Sequence, residues 1–180
     1  MPLSEEEKKY LLKLARDSIA SCLEGRRPYS EEADYPVLKE RRGVFVTLKK
    51  GGKLRGCIGQ LFPRDTLDKL IRDMAIASAF EDPRFPPLNQ KELEEIKIEI
   101  SLLSPLKPIK SIEEFEVGKH GIYMKKGFHS AVFLPQVAVE QGWNREQTLE
   151  HLSLKAGLPP HGWKKGAEFF VFTAEVFEEE

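Results

Sequence analysis

The chain has 180 residues, the size of one domain or of two small halves packed together, and it is long enough to bury a core without disulfides. Charged residues make up 32% of it, yet 28 Lys and Arg against 29 Asp and Glu leave a net charge of −1. With 41% hydrophobic residues, that balance excludes an intrinsically disordered chain and argues against nucleic-acid binding through overall charge. No apolar run approaches the ~20 residues a membrane helix needs. The opening MPLSEEEKKY has no basic n-region and no apolar h-region, so a cytoplasmic protein without a secretory signal is expected. Two cysteines, Cys22 and Cys57, are too few for a disulfide scaffold or a tetrahedral thiolate site, and free thiols are expected. Abundant Lys and Glu with few Asn, Gln and Cys hint at a thermophilic source.

Ser4 and Glu7 have capping-box spacing, and Leu11, Leu12, Leu14, Ile19 and Leu23 follow on one helical face. They predict a helix over 4–24 stopped by Gly25. A polar stretch with Pro28 and Pro36 leads to a strand over 44–48. Gly51-Gly52 turns the chain, and residues 54–61 return as the second hairpin strand. Asp65 is placed to cap a helix carrying Leu67, Leu70, Ile71, Met74, Ala75 and Ala79, ended by Pro83. Asn89 and Glu92 predict a short helix, after which Ile96, Ile98, Ile100 and Leu102 alternate as a half-buried strand. Pro105 and Pro108 break the pattern, and Ser111 caps a short helix over 112–115.

The order then repeats. Residues 121–124 and 131–134 flank Lys125-Lys126-Gly127 as another hairpin. Asn144 and Gln147 open a helix that ends at Gly157, and residues 169–177 form the last strand. Matching Lys49-Lys50-Gly51 to Lys125-Lys126-Gly127 gives an offset of 76 (125 − 49), which carries Ile96 to Phe172. We expect an α+β fold of two intimately packed α+β halves, a hidden duplication of hairpin, helix and strand, rather than a doubly wound parallel sheet. Chance likeness of two short patterns is the alternative. The expected organisation is a single domain over 1–180, with subdomains 30–105 and 111–177 and an N-terminal helix 4–24.

The segment Leu54-Arg55-Gly56-Cys57-Ile58-Gly59 is the most unusual. Glycines at 56 and 59 weaken a strand, so they point to a bulge or to close approach by another backbone or a ligand. In a regular strand Arg55 and Cys57 share a face, where a guanidinium would favour the reactive thiolate. A lone cysteine is usually a small buried hydrophobe instead.

LRGCIG resembles the signature of the AMMECR-one family. The likeness continues through residues 81–88 (EDPRFPPL), 116–122 (EVGKHGI), 133–138 (FLPQVA), 141–143 (QGW) and 155–157 (KAG), in the family's order and over almost the whole chain. The resemblance implies a widespread domain whose reaction is not established. It also implies a pathway partner of Memo-like or radical-SAM type, because related domains are fused or genomically linked to such proteins. Two cysteines cannot themselves hold a radical-SAM cluster. Gln60-Leu61 departs from the small hydroxyl residue and aromatic or apolar residue that many relatives carry there.

Arg84, on a proline-bounded loop, can grip a carboxylate or phosphate, or it can pair with Glu81 or Asp82 and merely fix the loop. His120 can act as a base near neutral pH, or serve as a hydrogen-bonded structural histidine. His129, His151 and His161 match no compact metal motif, and neither a GxxxxGK[ST] loop nor a GxSxG elbow is present. Seven basic residues between Lys39 and Arg55, against Glu40 alone, could attract phosphate or simply protect hairpin edges.

Two functions remain. In the first, a binding or adaptor domain takes a small molecule or protein in a cleft between the halves. Arg55, Gly56, Gly59 and Arg84 would bind it, with Cys57 and His120 also lining the cleft. In the second, an enzyme uses Cys57 as nucleophile, Arg55 as electrostatic stabiliser and His120 as base, which requires nucleophile and base within ~3 Å or one water. Ligand and cofactor stay open. A surface-facing Arg55 would be replaceable by alanine within about 1 kcal/mol.

Overall fold

The computed structural model describes residues 2–27 and 33–180; Pro28 of the polar stretch lies outside them. The chain divides into two compact units, Met1–Leu103 with Glu175–Glu180, and Ser104–Ala174.

The first unit begins with α1 (Glu5–Glu24). Its capping box joins Ser4 and Glu7, three glutamates occupy the positive first turn, and Gly25 ends it at φ 64°. A hairpin follows, β1 (Val44–Lys50) and β2 (Lys53–Gln60), turned by Gly51 and Gly52, both at positive φ. Then come α2 (Leu67–Phe80), α3 (Gln90–Glu95) and β3 (Ile96–Leu103). A fourth strand, β8 (Ala174–Glu178), completes a sheet of order β2-β1-β3-β8. Thr66, not Asp65, sits at the N-cap of α2; Asp65 instead accepts the Thr66 N–H.

Alternation places Val44, Val46 and Leu48 of β1 beside Leu102, Ile100 and Ile98 of β3, all fully buried. Leu11 and Ile19 of α1 and Leu67 and Ile71 of α2 join that core, each such side chain contributing roughly 1.5–3 kcal/mol. Arg16 ties α1 to the sheet: its guanidinium donates to Glu179, to the Leu93 carbonyl and to the Ile96 carbonyl.

The second unit carries β4 (Lys107–Ile109), a 3-10 turn at Ile112–Glu114, β5 (Gly121–Lys126), β6 (His129–Phe133), α4 (Pro135–Gln141), α5 (Arg145–Lys155) and β7 (Glu168–Phe172). Its sheet order is β4-β7-β5-β6, and its own core includes Phe115, Ile122, Met124, Leu149 and Leu152. Pro108 does not end regular structure, because β4 is an edge strand in which the missing N–H costs no ladder bond. Between β6 and Asn144, where no element is expected from the sequence, lies α4, begun by Pro135 and ended by Gly142 at φ 71°.

The two units share one run of elements, hairpin, two helices and strand, while the fourth strand of each sheet enters at a different point in the chain, β8 after β3 and β4 before β5. In each, the first hairpin strand pairs antiparallel with its hairpin mate and with the strand that follows two helices. At the hairpin tips the offset of 76 holds: Lys49 faces Leu54, and Lys125 faces Ser130. The closing strands require a different offset. Lys49 pairs with Lys97 and Lys125 with Glu168, so equivalent positions lie 71 apart (168 − 97), and Ile96 is not the counterpart of Phe172. The expected single strand over 169–177 is two strands in two sheets, interrupted at Thr173, whose backbone bonds to Ser104. Among the described residues, no helix is long and apolar enough to cross a membrane.

Candidate functional site

The LRGCIG segment forms β2 and carries an insertion that the second hairpin lacks. Leu48 faces Gly56 while Lys49 faces Leu54, so Arg55 is the extra residue of a β-bulge. The bulge breaks the alternation that would have put Arg55 and Cys57 on one face. Cys57 faces Thr47 across the ladder, whereas Ile58 faces Val46 and packs against the core.

Arg55 is therefore not the surface guanidinium expected. It is 7% exposed, and its Nε and Nη2 donate to the Glu92 carboxylate at 2.8 and 3.2 Å. Nη2 also donates to the Pro86 carbonyl at 2.7 Å, while Nη1 is buried with no partner among the described residues. The Arg55 and Lys50 cations hold the Glu92 carboxyl down to about 2. Lys50 pairs with Glu92 and Glu95, and Lys49 with Glu99, so much of the basic run is neutralised within its own unit.

Both glycines permit close packing. A Cβ on Gly56 would lie 2.1 Å from the Ser78 carbonyl oxygen of α2, and one on Gly59 would lie 2.3 Å from the Phe45 ring. Beside that contact, the Ser78 hydroxyl accepts the Ile58 N–H at 2.9 Å and donates to the Val46 carbonyl at 2.8 Å.

Arg84 reaches the same strand from the loop after α2. Its partner is Asp82, 4% exposed, whose carboxylate takes the Arg84 Nε and Nη2 at 3.0 and 2.8 Å. Asp82 also accepts the backbone N–H groups of Cys57 and Arg84 at 3.0 and 3.1 Å. The Arg84 guanidinium and these two N–H groups hold its carboxyl well below the usual range. Arg84 itself remains 54% exposed along its side chain. The Phe85 ring stands near both guanidiniums, its centroid 5.7 Å from Arg55 Cζ and 5.5 Å from Arg84 Cζ.

The Cys57 sulfur is half-buried and accepts the Thr47 hydroxyl at 3.2 Å. Burial pushes its thiol up, outweighing the favourable Thr47 and Arg84 contributions. Arg55 makes no such contribution, because the bulge and Glu92 turn it elsewhere. His120 belongs to the second unit, where its ring Nδ1 accepts the Glu116 N–H at 3.0 Å and its backbone N–H donates to the Glu116 carbonyl. Burial and the Lys119 charge push its imidazole down, favouring the neutral ring. Arg55, Gly56, Cys57, Gly59 and Arg84 thus share one neighbourhood of the first unit.

Asp82, Glu92 and Ser78 organise that neighbourhood and were not singled out from sequence. Asp82 appeared only as a possible loop partner and Glu92 only as a helix-start residue, because their ties to β2 span 25 and 37 residues. Among the described residues, no group of three or more His, Cys, Asp or Glu is placed to hold a metal ion.

Fold and site together define an α+β protein of two units that share a hairpin, two helices and a strand, with a bulged Arg-Gly-Cys strand in the first. The AMMECR1 family model matches residues 12–177, and the chain belongs to that family. Protein MK0488 of Methanopyrus kandleri is 46% identical, the alignment covering 99% of this chain and 91% of that protein. A protein of Thermococcus gammatolerans is 40% identical over 99% of this chain and 93% of its own length. The crystal structure of an uncharacterized protein, PH0010, from Pyrococcus horikoshii matches with a TM-score of 0.91 at 38% identity, covering 99% of this chain and 94% of that one. These relatives are named without an activity.

Proposed function

We propose that the chain is a binding protein whose LRGCIG strand and the 82–86 loop form a recognition surface for an acidic group on a small molecule or protein. The observation that carries this reading is the double use of Asp82. A buried carboxylate holds the Cys57 backbone and the Arg84 fork together, so an exposed cation is fixed beside the strand before any ligand arrives. Such preorganisation lowers the ordering cost of binding, and a guanidinium presents donors suited to carboxylate or phosphate. Gly56 and Gly59 shape the surface by letting α2 and Phe45 close on the strand. Thiol chemistry through Cys57 and His120 is the less favoured alternative, since burial disfavours the Cys57 thiolate. Free thiols at Cys22 and Cys57 suit a cytoplasmic setting.

The test is native purification of the wild type and of Arg84→Ala, followed by mass spectrometry of what each retains. The expected result is an acidic metabolite or partner enriched at least tenfold on the wild type, with similar melting temperatures. Equal recovery by two equally folded proteins overturns the reading.

A further inference from the structure

The β5–β6 hairpin of the second unit ends in an aromatic side chain with nothing over it. Phe128 is 108% exposed, as open to water as in an unfolded chain. The other exposed large apolar side chains among the described residues stand between 44% and 61%. Gly127 makes the turn at φ 58°, and a Cβ built on it would meet no atom within 4 Å. The tip is convex, and Phe128 stands out from it.

The hairpin is fastened on both sides of that residue. Lys126 donates to the Gly162 carbonyl at 2.9 Å, and the His129 ring Nδ1 donates to the Ala156 carbonyl at the end of α5 at 2.8 Å. Phe128 is thus presented from an anchored backbone, which lowers the ordering cost of using it.

The Lys126 bond also brings the 161–166 loop beside the tip. Residues 125–130 and 161–166 hold four lysines, two histidines and no acid. Lys125, Lys164 and Lys165 are exposed, and none of the four lysines has an ion-pair partner among the described residues. Two acids border the patch: Glu168 lies opposite Lys125 in the β5–β7 ladder, and Glu150 lies 4.0 Å from the His161 ring. Four lysines against two acids leave it positive. Lysines at a hairpin tip serve solubility, but a bare phenyl ring among them works against it.

We propose that this tip docks on an anionic lipid bilayer, with Phe128 entering the headgroup boundary and the lysines meeting lipid phosphates. Aromatic side chains settle at that boundary, and lysines gain attraction from a negative membrane surface. Two features favour a bilayer over an acidic protein. A convex tip needs a partner that yields around it. All four cations are lysines, compact charges on flexible stems, whereas fixed carboxylate recognition draws on the planar arginine fork.

The probe is a vesicle of phosphatidylglycerol and phosphatidylcholine in equal parts, sedimented with the full chain. Binding should fall at least tenfold on pure phosphatidylcholine vesicles, and it should weaken as salt is raised. Phe128→Ser and the double variant Lys164→Glu, Lys165→Glu should each lose at least tenfold in affinity. These positions are exposed, so melting temperatures should match the wild type. Phe128→Trp should keep binding, and its emission should shift to the blue on anionic vesicles beyond any change in the wild type. Arg84→Ala should bind vesicles as the wild type does, which separates this tip from the proposed recognition surface. No sedimentation with anionic vesicles, equal binding to neutral ones, or full binding by Phe128→Ser overturns the proposal. So does capture of soluble polyglutamate through Phe128 without vesicle binding, which assigns the tip to an acidic protein.

Discussion

The Asp82 carboxylate accepts the backbone N–H of Cys57 at 3.0 Å while holding the Arg84 guanidinium, so one buried acid joins the LRGCIG strand to the loop after α2. Asp82→Ala leaves the Cys57 N–H without that acceptor and releases Arg84. It should cost about 2 kcal/mol, the usual penalty range for an orphaned buried polar group. Urea unfolding checks the cost, and the same variant should bind the acidic ligand as weakly as Arg84→Ala. Wild-type stability in Asp82→Ala would show that the carboxylate is not the joint described.

The Arg55–Glu92 pair is mostly buried, so breaking it strands a charge. Arg55→Ala should destabilise by about 3 kcal/mol, well beyond the ~1 kcal/mol of a surface arginine. Equilibrium unfolding distinguishes these two figures directly.

The same pair sets an acid limit on stability. The folded Glu92 carboxyl is depressed from 4.5 to about 2, so its contribution is fully present above about pH 4.5. That contribution falls as the pH drops and is gone once the folded carboxyl itself protonates near 2. The stability gap between wild type and Glu92→Gln should hold steady from pH 7 to 5 and shrink steadily below. A gap unchanged at pH 2.5 contradicts this assignment.

Gly56→Ala should be the more damaging of the two glycine substitutions, at about 3 kcal/mol, near the upper end for overpacking. Its new methyl meets the helical backbone at Ser78, which cannot move without shifting α2. Gly59→Ala meets the Phe45 ring, which can turn, although the Val44 carbonyl at 2.5 Å keeps the cost above zero. Thermal melts of the pair give the order, and the reverse order refutes the packing argument.

Cys57 should react slowly with thiol reagents at neutral pH. In a Cys22→Ser background, which removes the exposed thiol, alkylation should rise about tenfold per pH unit without levelling off by pH 9, because the thiolate is the reactive form and burial raises the Cys57 thiol from its ordinary 9.0. A rate that plateaus by pH 8 would establish an activated thiolate and revive the catalytic reading.

Local signals were legible in the residues themselves. Ser4 with Glu7 and Asn144 with Gln147 form the capping boxes their spacing announces, and Val44, Val46 and Leu48 alternate into the core as their pattern requires. The repeated Lys-Lys-Gly likewise marks the equivalent hairpin tips of the two units. These features depend on neighbours within a few positions, where helix and strand periodicity operate.

Only the tertiary structure decided the rest. The register of β7 on β5 moves the closing-strand offset from 76 to 71, because pairing is set by side chains distant in the chain. The site followed the same rule. One bulged residue sends Arg55 to Glu92, and Asp82 crosses 25 positions to hold the Cys57 N–H. The sequence determined which polar groups occupy that neighbourhood; burial and long-range pairing determined which charge is covered, which is exposed and which thiol stays protonated.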